Sequence, residues 1–483
     1  MKKIILIILL PFLMLAGCKK DLTSVNIDPV NPSSVPSYAL FSSAQKSLAR
    51  TMSSANVNVN IFRLIEQQWT ETTYNDESNY DLATRQIPRG VWNALYRDVL
   101  RDLKETRDLI PTDVLDPATQ KPDLAKQKNE LAIVDIMEVY AWYYLVTTYG
   151  NIPYSEALNI DKPFPKYDAQ SAVFTSLLSR INQDITNLNP ANASFGDEDI
   201  IYAGDLASWK KFATTLKLKI GMTLADVDAT LAKTVVESAV ASGVFTSESD
   251  NAVFQFLSGP PNTNPVWEDL VQSGRKDFVI TSTLVDTLLS LSDPRIPLFF
   301  TFDNSGTGYS GGVPGDQNNF QAFSKPSAIL TAADYPLILL SFVETEFLLA
   351  EAKERGFNVP GTAASHYTNG VTQSIISWGG KALDALTYLA QPQVNYLTAA
   401  GTYKQKIGFQ KWIALYNRGW DAWIETRRLD YPQLPDPIQA VSDFPVRFTY
   451  SVDEQNINTT NYNAAAAAIG GDKVTTKLFW DKF

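Results

Sequence analysis

The chain has 483 residues, 45% of them hydrophobic and 19% charged, which suits a globular protein large enough to bury a substantial core. A formal net charge of −11 with no basic stretch excludes a nucleic-acid partner held by electrostatics. One cysteine and one histidine exclude disulfides, thiolate metal sites and zinc sites built on paired histidines.

The N-terminus reads MKKIILIILLPFLMLAGCKKD: two lysines, an apolar run from Ile4 to Ala16, then Leu15-Ala16-Gly17-Cys18. This is the pattern of a lipoprotein signal, in which small residues fit the peptidase cleft and the Cys18 thiol accepts diacylglycerol. Residues 1–17 are therefore expected to be removed. Residues 18–37, rich in Pro, Ser and Asn, read as a lipidated tether for a single domain over 38–483. No later apolar run reaches the ~18 residues of a spanning helix; the closest, Leu337 to Ala350, is broken by Glu344 and Glu346. The expected link to a membrane is the acyl anchor on Cys18 alone, with no other cofactor.

Past the tether, apolar residues recur at three and four over 39–50, 91–109, 129–148, 170–188, 206–224, 341–355, 362–378 and 404–428, predicting a mainly α fold. From Leu131 to Tyr149 the apolar positions occupy more than one side, so this helix should be covered on several faces. Residues 244–335 are rich in turn formers and predict long irregular loops, and 430–483 reads as an irregular wrapping tail. Residues 347–375 read as helix, short turn, helix: alanines at 350, 352, 363 and 364 permit close approach, and Tyr367 and Val371 supply bulk. That is the logic of a tetratricopeptide hairpin, without a strict repeat period along the chain.

Residues 409–434, FQKWIALYNRGWDAWIETRRLDYPQL, crowd aromatic and arginine side chains that suit a ligand cradle. Their spacing points to framework instead. Phe409, Trp412, Ile413 and Tyr416 share one helical face; beyond Gly419, Trp420, Trp423 and Ile424 form a second stripe ending at Arg427, and Glu425 can reach Arg428.

Catalytic strings fail on context. Gly306-Thr307-Gly308-Tyr309-Ser310-Gly311 matches a dinucleotide fingerprint but is followed by Pro314 and Gly315 rather than a helix, so it reads as a glycine turn. Ser43-Ala44-Gln45-Lys46 and Ser249-Asp250-Asn251 copy two of the three penicillin-binding motifs but lack the third. His366 sits inside a helical stretch and reads as a surface or packing residue. Asp303, Asn304, Asp316 and Asn318 could offer oxygen ligands to calcium but do not follow the EF-hand pattern, and read as turn residues. No carboxylate pair stands out.

Seven blocks, in order, are more informative. Tyr149-Gly150-Asn151-Ile152-Pro153-Tyr154-Ser155-Glu156-Ala157-Leu158 is followed by Pro165-Lys166-Tyr167-Asp168-Ala169-Gln170 and by Asp199-Ile200-Ile201-Tyr202-Ala203-Gly204-Asp205. Trp209-Lys210-Lys211-Phe212-Ala213, Asp293-Pro294-Arg295, Glu346-Phe347-Leu348-Leu349-Ala350-Glu351-Ala352 and Gln410-Lys411-Trp412-Ile413-Ala414-Leu415-Tyr416 complete the series. Together they resemble SusD/RagB nutrient-binding outer-membrane lipoproteins, from the signal to about residue 456. The resemblance implies a tetratricopeptide-like helical scaffold decorated with irregular loops, and no enzymatic activity. It implies a lipoprotein, facing the cell exterior, that captures oligosaccharides or peptides for a SusC-like TonB-dependent outer-membrane transporter. One departure is that Lys19, Lys20 and Asp21 stand where some relatives carry an acidic export signal. A surface glycan hydrolase and a tetratricopeptide adaptor for proteins are the alternatives.

Ligand contacts must come from chemistry, because sugar binders stack pyranose faces on exposed aromatic rings and fix hydroxyls with Asn, Asp and Arg. Trp69, Tyr74 and Tyr80 lie among polar residues in QQWTETTYNDESNYD and are the first candidates. Trp92, Trp267 and Tyr309 follow, although Trp92 shares a helical face with Tyr96. Replacing Trp69 or Tyr74 by alanine is expected to weaken saccharide binding with little effect on melting.

Overall fold

The periodic segments become helices nearly where their spacing puts them. In the computed structural model, which describes residues 35–483, the scaffold is α1 (Ser37–Ser53), α2 (Arg101–Asp113), α3 (Leu124–Tyr149), α4 (Gln170–Asn187) and α5 (Leu206–Thr223). It continues with α6 (Ala229–Ala241), α7 (Phe342–Glu354), α8 (Ala363–Ser377), α9 (Tyr403–Ala414) and α10 (Gly419–Leu429). The signal, Cys18 and most of the tether lie outside the described residues. Ser37–Phe483 forms one compact unit.

Helix α3 shows why the fold is a stack of hairpins. Asp123 caps it by accepting from the Lys126 amide, and Gly150, at φ +88°, ends it. Between Ala132 and Tyr149 every residue except Asp135 is buried, so the helix is covered on all sides. Helix α4 packs along it, α5 pairs with α6, α7 with α8 and α9 with α10, and α7 joins the second pair to the last. Helix α6 escapes the sequence reading; Ala232, Val235, Val236 and Ala239 form its buried stripe, and the Asp228 side chain caps it.

The seven blocks turn out to be joints of this scaffold. Ile152 and Pro153 (β2) pair with Asp168 and Tyr167 (β3), and the Asp168 carboxylate accepts from the Ser155 amide at 2.7 Å and the Ser155 hydroxyl at 2.9 Å. Asp199 accepts from the Trp209 indole at 2.6 Å and from Gln45 at 2.7 Å. Asp293 and Arg295, fully buried, are paired at 2.6 Å, and Arg295 reaches Gln410 at 3.2 Å. Glu346 holds the His366 Nδ1 at 2.7 Å, and the His366 Nε2 meets the Pro360 carbonyl at 2.9 Å, so this histidine fastens α8 to α7.

Two charge clusters lie inside the last helices. Lys219 on α5 is 2.7 Å from Glu344 and 2.5 Å from Asp421; Arg418 is 2.8 Å from Glu344 and 2.6 Å from Asp421. The Tyr144 hydroxyl donates to Asp421 as well. Burial pushes Lys219 down, but the Asp421 and Glu344 carboxylates outweigh it and hold the ammonium well above its ordinary value. Nearby, Arg428 grips both Glu351 oxygens at 2.6 Å, and Lys411 is 2.8 Å from Glu425. The first cluster balances two positive against two negative charges, as burial at this depth requires, and the second extends outward through Arg355, 2.8 Å from Glu351 and 2.8 Å from Asp226.

Three two-stranded ladders complete the described structure, one of them β2 with β3 and another β4 (Ala252–Phe254) with β6 (Leu337–Leu340). The one that matters for function pairs β1 (Trp69–Glu71) with β5 (Phe278–Ile280), antiparallel, Trp69 opposite Ile280 and Glu71 opposite Phe278. The 430–483 segment does wrap the scaffold: Trp480 is buried over Arg427, and Arg447 is buried against Asp472 at 2.6 Å. Its alanine run, however, ends a helix, Thr459–Ala468, rather than continuing a loop.

Candidate ligand-binding face

The β1–β5 ladder sews together the loops that the sequence left unattached. Beyond β1, the Thr72 amide donates to the Asp277 carbonyl at 2.8 Å, so residues 72–81 leave the ladder beside the segment entering β5. The Asn79 side chain donates to the Gly315 carbonyl at 2.8 Å, the Asn75 side chain donates to the same oxygen, and Asn318 reaches back to the Glu71 carbonyl at 3.1 Å. Gly315 is required there: its φ is +79°, and a Cβ would sit 2.1 Å from the Asn79 side-chain oxygen. Gly312 in turn donates to the Ile280 carbonyl at 2.8 Å. The Tyr74 loop and the Tyr309 loop are thus one clamped surface.

The six sequence candidates separate by burial. Trp69, at 2% exposure, donates its indole N–H to the Tyr416 hydroxyl at 3.1 Å, packs 5.7 Å from Phe278 and lies under the Arg63 guanidinium. Tyr80, also at 2%, accepts from Gln67 at 3.1 Å and meets Phe444 edge-on. Trp92 is enclosed by Tyr96, Tyr149 and Tyr450. These three are framework, which corrects the expectation that they face a ligand. The polar residues around Trp69 and Tyr80 misled the reading because Gln67, Gln68, Thr70, Glu71, Ser78 and Asn79 are themselves buried. Where a buried loop satisfies its backbone through side chains, polar flanks report burial as readily as exposure.

Tyr74 is the opposite case, with 68% of its surface exposed. Arg85 lies 5.7 Å from its ring centroid and is anchored 3.3 Å from the buried Glu77 carboxylate, so the ring is steadied on one side and open on the other. Tyr309 is half-buried, 5.0 Å from the exposed ring of Phe302. Phe320, with the Lys325 ammonium 5.1 Å from its centroid, adds a third aromatic to the same loop. Phe302, Phe320, Arg85 and Lys325 were missed by sequence reasoning; the aromatic residues inside the turn-rich 301–325 stretch were the available signal. Trp267 sits elsewhere: half-buried on the Pro265–Trp267 turn, it is next to Glu268, which Arg50 of α1 holds at 2.7 Å.

The possible calcium ligands do not converge. Asn318 spends its amide on three backbone carbonyls, Asp303 accepts from the Ser305 amide, and no group of three His, Cys, Asp or Glu side chains among the described residues is placed to hold a metal. Beneath the face, Glu71 accepts from the Ser78 amide and hydroxyl, both at 2.9 Å, and burial together with the neighbouring Glu77 pushes its carboxyl well above the usual range. What remains on the surface is a set of aromatic faces with Arg85 and Lys325 beside them, the equipment for holding the apolar face and the hydroxyls of a sugar.

The family model described as "Starch-binding associating with outer membrane" matches residues 29–451. The chain belongs to this SusD-like family. Among solved structures, it is similar to one described as a chitin-binding protein, with 26% identity, a TM-score of 0.78, and coverage of 92% of this chain and 100% of that one. A SusD homologue from Bacteroides uniformis has 24% identity and a TM-score of 0.77, covering 92% of this chain and 100% of that one. A chitin-binding SusD homologue from Flavobacterium johnsoniae has 23% identity and a TM-score of 0.77, covering 92% and 99%. At these last two identities the likeness establishes the fold alone: the SusD-like, tetratricopeptide-like helical scaffold with irregular loops. No curated protein matches the chain. Among the described residues, no helix is long and apolar enough to cross a membrane.

Proposed function

We propose that this SusD-like protein is a non-catalytic lipoprotein of the outer membrane, anchored through Cys18 and facing the cell exterior, that captures oligosaccharides and passes them to a SusC-like TonB-dependent transporter. The observation that carries the reading is the clamped surface displaying Tyr74, Phe302 and Tyr309, because rigid aromatic faces bind sugar rings at low entropic cost. Support comes from the family's description as starch-binding and from the neighbours described as chitin-binding. The lipoprotein pattern of the first eighteen residues supports the anchor.

The test is a glycan and peptide array probed with the soluble form lacking residues 1–18, followed by calorimetry on the hits. A saccharide ligand and copurification of a large outer-membrane transporter with the intact lipoprotein are expected. Sustained release of reducing ends from a bound glycan would make the protein a hydrolase and overturn the capture role. Binding of proteins but of no glycan or peptide would favour the adaptor reading.

A further inference from the structure

A cleft of about 510 Å³ is lined in part by Val313 and Pro314, next to the Gly315 that Asn79 clamps. One wall is Phe409 and Trp412 of α9 together with Tyr431; the other is the first turns of the Ser282–Ser290 helix, with Ser282, Asp286 and Thr287 turned to the opening. The segment from Pro432 to Ile438 forms the rim and contributes Gln433 and Asp436. The volume falls within the ~300–1,000 Å³ typical of small-molecule sites.

The lining is specific in its chemistry. The Phe409 and Tyr431 rings, both half-buried, have centroids 6.3 Å apart and planes inclined at 56°, so they offer apolar area that the scaffold does not cover completely. The lining also carries two carboxylates, Asp286 and Asp436, and the hydroxyls of Ser282, Thr283 and Thr287, and no lysine or arginine lines the cleft. Such a site repels uronates, sulfated sugars and other anions. It suits neighbouring hydroxyls of a neutral pyranose, which donate to a carboxylate while the ring's apolar face lies on an aromatic one.

The cleft also shares structure with the Tyr74 face. The Ile438 amide donates to the Pro314 carbonyl at 3.1 Å, and the Gln439 amide donates to the side-chain oxygen of Asn79, the residue that clamps the Tyr74 loop. We infer that this cleft is a second saccharide site, which takes a neutral segment of an oligosaccharide also held at the Tyr74 face. The inference rests on the saccharide-capture reading and adds two-point binding to it, so that longer glycans gain affinity from effective concentration rather than from new chemistry.

The test is calorimetry on the full-length protein in detergent, with maltoheptaose, chitohexaose and their trisaccharides as probes, and a galacturonate oligosaccharide as the anionic comparison. The variants are Tyr431→Ala, Asp286→Ala with Asp436→Ala, and Tyr74→Ala; the two aspartates are exposed, so melting curves should stay at the wild-type position and separate binding from folding. Expected is a loss of about 10-fold in affinity for the long neutral glycan in either cleft variant, the scale of one aromatic contact. A smaller loss for the trisaccharide is expected too, and any binding of the anionic probe should be unchanged in the cleft variants. Wild-type affinity for the long glycan in both cleft variants, with loss confined to Tyr74→Ala, overturns the second site and leaves the capture reading intact. Tight binding of the galacturonate probe, lost in the cleft variants, overturns the assigned ligand class. Binding of neither neutral glycan by the unaltered protein overturns the inference and the capture of these glycans together.

Discussion

Replacing Asp421 by asparagine keeps the side chain's shape and removes one of the two negative charges that balance Lys219 and Arg418. Their side chains are 0% and 11% exposed, so water cannot take over the lost compensation. Removing one partner from a buried ion pair costs about 3–5 kcal/mol. Unfolding entropy of about 2.1 cal/mol/K per residue gives about 1 kcal/mol/K for 483 residues, so the melting temperature should fall by about 3–5 °C. Differential scanning calorimetry at pH 7 measures it. The charge argument has its own control: Lys219→Met combined with Asp421→Asn restores neutrality with Arg418 and Glu344, and should lose less than the single change. The pH dependence has a definite sign. Although burial raises the Asp421 carboxyl, Arg418 and Lys219 hold it below its ordinary value. Its contribution is therefore present above the unfolded pKa of about 3.9 and lost as pH falls through the lower folded value, so the variant and the wild type should converge in strong acid. An unchanged melting temperature in the single variant, or a double variant less stable than the single, would refute the reasoning.

Other expectations follow from the same structure. Tyr74→Ala should weaken saccharide binding and leave melting near wild type, whereas Trp69→Ala, which empties a buried site, should cost about 3–5 kcal/mol in thermal unfolding. Glu66 is buried, accepts from Thr426 at 2.7 Å, and is pushed up to about 8 by burial. A carboxyl raised in the folded state contributes stability that is full below its unfolded pKa and is lost as pH rises through the folded value. Glu66→Gln should therefore flatten the fall in melting temperature between pH 5 and pH 9, and an unaltered slope would contradict it. Gly419→Ala should destabilise by ~1–3 kcal/mol or more in chemical denaturation, because a Cβ would lie 2.5 Å from the Arg63 amide nitrogen.

That last position shows how sequence and structure divide the information. Gly419 reads as a helix weakener, yet it opens α10 at the point where that helix touches the turn Phe62–Ile65, a neighbour no local pattern names. The tryptophans at 412, 420 and 423 were legible as framework from their spacing, and all three are buried. Phe409 and Tyr431, at the edges of the same stretch, are only half-buried and open on the cleft, whose opposite wall is the Ser282–Ser290 helix from elsewhere in the chain. The seven blocks named the family because they are joints: Asp168, Asp199, Asp293 and Glu346 each secure a scaffold contact. For the same reason they carry no information about the ligand.

By itself the sequence determined most of the scaffold helices, the hairpin over 347–375 and the family, because periodicity and short-range joints are written in neighbouring residues. Tertiary structure alone decided which aromatic rings face solvent. Trp69 and Tyr74 sit five residues apart in one polar stretch, and what buries the first and exposes the second is the approach of Tyr416, Phe278 and Arg63 from distant parts of the chain. Exposure is a property of what packs over a side chain, and the packing partners of a loop are set by the whole fold.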